Sequence, residues 1–225
     1  MCRQAVDTFE EFGLWVDAAT VSLCSGRVEL FARDAVAAER ELRRGYDYFF
    51  RLGERYILSS VTGLLAEALL VQGRLDDAEA LTREGEDIAA EDDIEAQPLW
   101  RLVRAEVLAH HDEFEKAEAL AREAVGLLAP TDDFLNRSAA LGCLASVLFV
   151  AGREEDGAQG LKRAHESASR GSPVMSERLD ELSALVGTRS SSRFSVASFL
   201  TETEAAVLDP VTGDRDRLAV LVLNQ

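Results

Sequence analysis

Apolar and polar residues along this chain alternate with the period of a helix. From Glu54 to Val71 apolar side chains recur three and four positions apart, which places them on one face of a helix. A turn follows at Gln72-Gly73-Arg74, and a second stretch with helical spacing continues to about Ala90. The pattern predicts two antiparallel helices. The apolar positions of the first helix are Ile57, Leu58, Val61, Leu64, Leu65 and Leu69.

The pattern of a helix pair recurs about every 40 residues. The stretch AEALTREGEDIA begins at Ala78, and AEALAREAVGLLA begins 39 positions later at Ala117. Related stretches one period before and one period after extend the frame to four copies. A small residue holds the same place in each copy, at Ala38, Ala78, Ala117 and Gly157. One helix pair cannot cover its own apolar face, whereas stacking on a neighbouring copy can cover it.

These elements predict an all-α protein. We expect a right-handed α-solenoid of about four antiparallel helix pairs over residues 5–187, closed by an amphipathic capping helix over residues 176–186. The frame is lost after Val186, so residues 188–225 predict a low-complexity linker and a poorly ordered tail. The apolar run at the end of that tail fits either a strand that needs a partner or the product of a stray reading frame.

Two acidic pairs, Asp92-Asp93 and Asp132-Asp133, lie 40 residues apart in the spacers between copies. Aspartate before an apolar-periodic stretch is a common helix start, because its carboxylate accepts from the free backbone N–H groups of the first turn. A cation site is the alternative. We favour capping because further carboxylates or histidines at ligand spacing are missing.

The positions of small and large residues resemble the tetratricopeptide repeat. In the second copy, Ala66, Leu69, Gly73, Leu75 and Ala78 match its small, large, glycine, apolar and alanine positions. The period near 40 exceeds the usual 34, which points to a variant with long helices.

A closer resemblance covers residues 9–166, including the strings WRLVRAEVLA and FEKAEALAREAV. They are similar to the C-terminal repeat region of bacterial signalling proteins, in which a class III adenylate/guanylate cyclase domain and an AAA-type ATPase domain precede the repeats. Related regions follow the ATPase module of some large transcriptional activators. The resemblance implies a non-catalytic module that regulates an attached or separately encoded signalling protein. The sequence contains no phosphate-binding G-x-x-x-x-G-K-[ST] loop.

The charge and apolar runs of the chain narrow its possible partners, and its cysteine usage indicates its compartment. The chain has 24 basic and 41 acidic residues and a net charge of −17, so we expect it to repel nucleic acid. No apolar run is long enough to cross a bilayer, and we expect no membrane partner. Widely spaced Cys2, Cys24 and Cys143 indicate a reducing, cytoplasmic compartment. We expect no metal and no cofactor.

The best functional candidate is the stretch PLWRLVRAE at residues 98–106. In the family it resembles, the first helix of each pair lines a concave wall that holds peptides or partner helices. We therefore predict a partner-binding site at Glu67, Trp100, Arg101, Arg104 and Glu106. The alternative is structural: Trp100 fills the core, and Arg104 pairs with Glu67 or Glu106.

No catalytic residues can be singled out, since the sequence has no local serine, histidine and acid signature. The adjacent His110 and His111 fit an exposed turn better than a metal site. The leading interpretation is a protein- or peptide-binding module. The rivals are a free-standing peptide receptor, an enzyme whose site lies in the groove, and a structural spacer.

Overall fold

The computed structural model describes residues 2–171 and 173–188, and all regular structure in this part of the chain is helical. The predicted all-α class is confirmed for these residues. The predicted tail lies outside them, except for Thr188. The helices are α1 (Cys2–Glu11), α2 (Trp15–Phe31), α3 (Ala35–Leu52), α4 (Arg55–Val71), α5 (Leu75–Ile88), α6 (Ala96–His110), α7 (Phe114–Leu128), α8 (Phe134–Val150), α9 (Glu154–Ala168) and α10 (Pro173–Thr188).

The helices divide into two compact units, one carrying α1–α5 up to Ala96 and the other carrying α6–α10 from Gln97. In the first unit, Phe49 of α3 is fully buried with Leu58 and Val61 of α4. The Arg55 guanidinium at the start of α4 donates to the carbonyl of Asp87 near the end of α5, at 3.1 Å. The helices α4 and α5 therefore run antiparallel, as the sequence predicts.

In the second unit, α6, α7 and α8 share a core of small and aliphatic residues. Ala105, Ala117, Ala121 and Val147 are at most 1 % exposed there. A helix, α10, is present where the sequence predicts the capping helix. It begins at Pro173, earlier than expected, and it buries Leu179 as predicted. No helix in the described ranges is long and apolar enough to span a membrane.

The chain reverses by one kind of turn after α2, α4, α6 and α8. In each turn one residue adopts a left-handed backbone, with φ between +60° and +76°. The next residue donates its N–H to a carbonyl five positions back, as Arg74 does to Leu69 at 3.0 Å and Arg153 to Leu148 at 2.9 Å. This is the Schellman motif, which satisfies carbonyls at the helix end. The left-handed residues are Arg33, Gly73, Asp112 and Gly152.

The predicted small position lies one helical turn beyond each of these reversals. Ala38, Ala78 and Ala117 have no exposed surface, and Gly157 is buried. A Cβ atom added to Gly157 would lie 2.8 Å from the ring of Phe149 on α8. The small residues therefore allow the paired helices to approach closely, as predicted.

Both acidic spacers cap helices, as predicted. The Asp93 carboxylate accepts from the backbone N–H groups of Glu95 and Ala96, at 3.1 and 2.9 Å. The Ser59 hydroxyl also donates to it, at 3.2 Å. The Asp133 carboxylate accepts from the N–H of Asn136 at 2.9 Å. Within residues 2–171 and 173–188, no three metal-ligating side chains come together.

Two similar ion-pair clusters lie in corresponding places of the two units. Arg74 contacts Glu39 at 2.8 Å and Asp77 at 2.6 Å. In the second unit, Arg153 contacts Glu118 at 2.6 Å and Asp156 at 2.5 Å. Arg74 directly precedes α5 and contacts Glu39 of α3, and Arg153 directly precedes α9 and contacts Glu118 of α7. With α2–α3, α4–α5, α6–α7 and α8–α9 taken as the helix pairs, each arginine thus connects the second helices of two successive pairs.

The two clusters lower the pKa of their glutamates. Burial alone would raise the pKa of Glu118, but hydrogen bonds from Arg122 and Arg153 and their positive charges outweigh it. Burial likewise opposes the shift at Glu39, where hydrogen bonds from Gln72, Arg43 and Arg74 prevail and lower the pKa.

The small position can be tested by overpacking. We expect Ala117→Leu to lower the free energy of unfolding by about 1–3 kcal/mol, because the larger side chain meets α8 in a filled core. Ala119→Leu is the matched control, since Ala119 is exposed on the same helix. Glu118, which helical spacing places outward, is unsuitable because it belongs to the ion-pair cluster. Urea unfolding measures both variants, and equal losses would contradict the assigned close contact.

The cluster in the second unit predicts a pH dependence. Because the folded state lowers the pKa of Glu118, its stabilising effect is complete above the unfolded value of about 4.3 and is lost as pH falls through the folded value. We expect Glu118→Gln to lower the melting temperature at pH 7, and we expect its difference from the wild type to shrink progressively as pH falls below the unfolded value. Glu115→Gln, exposed on the same helix, is the control. A gap that stays constant with pH would contradict this assignment.

Candidate functional site

The predicted site centres on α6, where Trp100 lies inside the protein. Its side chain leaves only 4 % of the residue exposed, and its indole N–H donates to the Gln97 side chain at 3.3 Å. Of the two interpretations drawn from the sequence, the structure favours the packed position for this ring. Trp100 can act on a partner only through the residues that it holds.

Two arginines stack against the Trp100 ring. The guanidinium carbon of Arg101 lies 4.1 Å from the ring centroid, and that of Arg104 lies 4.6 Å from it. Contacts of this length between a cation and an aromatic face contribute about 0.5–2 kcal/mol, depending on solvent exposure. Both arginines are partly exposed. The indole therefore fixes two positive charges near the surface of α6. We call these three residues the arginine–tryptophan cluster.

Arg101 is held by polar contacts as well. Its Nε donates to Glu123 of α7 at 3.0 Å, and its Nη1 donates to the Gln97 carbonyl at 2.9 Å. The Glu123 side chain is 56 % exposed, so this pair lies in high dielectric and contributes about 0–1 kcal/mol. An incoming carboxylate can replace Glu123 at small cost.

The other two predicted residues have different surroundings. Glu106 lies beside Cys143 of α8. Burial raises the pKa of the Cys143 thiol well above its ordinary value, and the charge and hydrogen bond of Glu106 raise it further. The thiol therefore stays neutral and unreactive. Glu67 is partly buried on α4 in the first unit, and its pairing with Arg104 stays a prediction.

The histidines at the end of α6 differ in exposure. His111 is exposed, as the sequence suggests, but His110 is partly buried. Burial lowers the pKa of His110, and the neighbouring His111 lowers it further. His110 is therefore neutral at pH 7.

One cluster of catalytic residue types was missed by sequence reasoning. His165 of α9 lies 3.1 Å from the Ser183 hydroxyl and 3.7 Å from the Asp180 carboxylate of α10. No short motif signals these residues. The Ser183 hydroxyl donates to the carbonyl of Leu179 at 2.9 Å, so its proton points away from the imidazole. Asp180 is 77 % exposed. This geometry joins α9 to α10 and does not prepare a nucleophile, because the Leu179 carbonyl accepts the proton of the Ser183 hydroxyl.

Comparison with known proteins assigns no family. No family model matches the sequence, and no curated protein matches it. The resemblance to tetratricopeptide repeats and to cyclase-associated regions therefore stays a prediction.

The packed role of Trp100 can be measured directly. We expect Trp100→Ala to lower the free energy of unfolding by roughly 3–5 kcal/mol, because it leaves a cavity and removes the surface on which two guanidiniums stack. Trp15→Ala is the matched control. Trp15 is 48 % exposed, so we expect a loss under about 1 kcal/mol. Chemical denaturation compares them, and equal losses would contradict the buried position of Trp100.

Proposed function

We propose that this protein is a non-catalytic protein- or peptide-binding module built as a right-handed, tetratricopeptide-like α-solenoid. The recurrent Schellman turn and the buried small residue after it support stacked helix pairs. Solenoids of this kind bind partners along the helices that line their concave side. We place the site on α6, the first helix of the third pair.

The observation that carries this proposal is the arginine–tryptophan cluster. It holds two guanidiniums at short, defined distances from a buried ring, so little side-chain entropy is lost when they bind a carboxylate. On a chain with a net charge of −17, the two guanidiniums form a local positive spot. The matching partner is a peptide or helix that presents aspartate or glutamate.

We propose further that the partner is part of a signalling protein. The resemblance over residues 9–166 supports an attached or separately encoded nucleotide cyclase, signalling ATPase or transcriptional activator. Regulation by a repeat module requires that the partner bind differently in its active and inactive states. A free-standing peptide receptor is the alternative, and it would use the same arginines.

Loss of positive charge tests the site. The probe is a fluorescently labelled synthetic helix with glutamates on one face, and fluorescence anisotropy measures its binding. We expect Arg104→Ala to weaken binding at least about tenfold, a loss of about 1.4 kcal/mol. Arg163→Ala is the matched control, because Arg163 is exposed on α9. Equal effects of the two variants would contradict the proposed site.

Thermal melts separate binding from folding. If Arg104 forms a buried pair with Glu67, Arg104→Ala should cost roughly 3–5 kcal/mol, and adding Glu67→Ala should restore much of it. That result would assign the arginine to structure, and the site would be withdrawn. An unchanged melt with weakened binding supports the proposal. An unchanged melt with unchanged binding rejects both roles.

A further inference from the structure

Among the residues that the structure describes, exposed large apolar side chains are confined to the first unit. Nine such side chains are 46–76 % exposed, and each lies between Phe12 and Ile94. The part of the second unit that the structure describes contains none. Single exposed apolar residues are ordinary on a protein surface, but a random distribution over that surface would not place all of them in one unit.

Eight of the nine lie at the same end of the helices. α2 and α3 run antiparallel, since a Cβ on Gly45 would lie 3.3 Å from the Ala19 carbonyl. The start of α2 is therefore level with the end of α3. The start of α4 lies beside the end of α5, as the contact from Arg55 to Asp87 shows. This set, which we call the apolar end, includes Phe12, Trp15, Phe50, Leu52, Tyr56 and Ile94, and the ninth residue, Val36, lies at the opposite end of α3.

The apolar end is rich in aromatic side chains held on ordered supports. The Phe50 ring stacks on Tyr46 with a centroid distance of 5.9 Å and an angle of 13°. The Tyr46 hydroxyl in turn donates to Glu84 of α5 at 2.7 Å. Phe50 is thus presented to solvent in a fixed position. Aromatic residues with little freedom left to lose are typical anchors of protein interfaces.

Charged groups at this end identify the chemistry of a partner. Two exposed arginines, Arg51 and Arg55, donate to the backbone carbonyls of Asp47 and Asp87. Exposed carboxylates outnumber them, at Glu11, Asp17, Asp47, Asp87, Glu91 and Asp92. An apolar surface with an acidic border is complementary to an apolar surface with a basic border.

We infer that the apolar end of the first unit binds an amphipathic helix whose apolar face is bordered by lysine or arginine. Such a helix places its apolar residues on the exposed rings and its cations near the surrounding carboxylates. This inference rests on the proposed binding function. It uses a different surface from the arginine–tryptophan cluster, and it takes a partner of opposite charge.

The test uses the full chain and a synthetic helix of about 18 residues, with leucines on one face and lysines on the other. Isothermal titration at about 0.15 M salt measures its affinity, and a scrambled peptide of the same composition measures non-specific attraction. We expect the double variant Phe50→Ser/Tyr56→Ser to weaken binding at least about tenfold. Val36→Ser is the matched control, since Val36 is 66 % exposed at the opposite end, and it should bind like the wild type.

A second variant tests the carboxylates that border the apolar end. We expect Asp47→Asn/Asp87→Asn to weaken binding and to make it less dependent on salt, because fewer charge contacts remain. The backbone carbonyls that hold Arg51 and Arg55 are kept in this variant. Circular dichroism melts establish that all variants are folded before titration.

Several results would overturn the inference. One is equal binding of the peptide to the wild type and to Phe50→Ser/Tyr56→Ser. Another is a dimeric wild type that becomes monomeric in the serine variant, which would assign the apolar end to a second copy. A third is tighter peptide binding by Leu221→Asp, which would assign it to the chain's own tail. The acidic-helix titration of Arg104→Ala is independent, so the proposed function fails only if that assay fails as well.

Discussion

Close approach of antiparallel helices is the constraint on which the described structure depends. Each reversal within a helix pair, after α2, α4, α6 and α8, has a residue with positive φ, and the next helical turn carries a residue with almost no side chain. Glycine meets the first need without strain at Gly73 and Gly152. Asp112 and Arg33 adopt the same conformation at a cost of about 1–2 kcal/mol each. That cost is offset because the reversal brings two apolar faces into contact.

The same constraint explains the placement of the ion-pair clusters. The residue after each of the four left-handed positions within pairs, at Arg33, Gly73, Asp112 and Gly152, directly precedes the second helix of a pair. Arginine at this place, in Arg74 and Arg153, reaches a glutamate 35 residues earlier in the chain. Glu113 holds the equivalent place before α7, and it pairs with Lys116 of its own helix instead. The fixed backbone turn thus offers a position where charge is free to vary between copies.

Most of the helical framework could be predicted because the signals for it are local. Apolar spacing and Gly73 placed the ends of α4 to within one residue, and the aspartate pairs marked two helix starts. Helical spacing also makes Glu118 an outward residue. It could not show that Arg153 would cover this residue, since that contact depends on how two helix pairs meet.

The candidate site was harder to predict for a related reason. Periodicity places Trp100 and Arg104 on one face of α6, but it does not say whether that face is buried or open. The structure buries the ring and brings both guanidiniums onto it. The apolar end was not predicted, because an aromatic residue at an apolar position of a helical pattern is normally interpreted as part of the core. Whether Phe50 or Tyr56 is covered depends on its place at the helix end, where no neighbouring side chain reaches over it.

The two proposed surfaces differ in the range of the forces that act on them. A net charge of −17 repels an acidic partner at long range, and salt at about 0.15 M screens that field beyond roughly 8 Å. The arginine–tryptophan cluster attracts a carboxylate only at short range, after the partner has approached. A basic helix gains from the whole field before it reaches the apolar end, where burial of aromatic surface then holds it. The acidity of the chain therefore opposes encounter at one surface and favours it at the other.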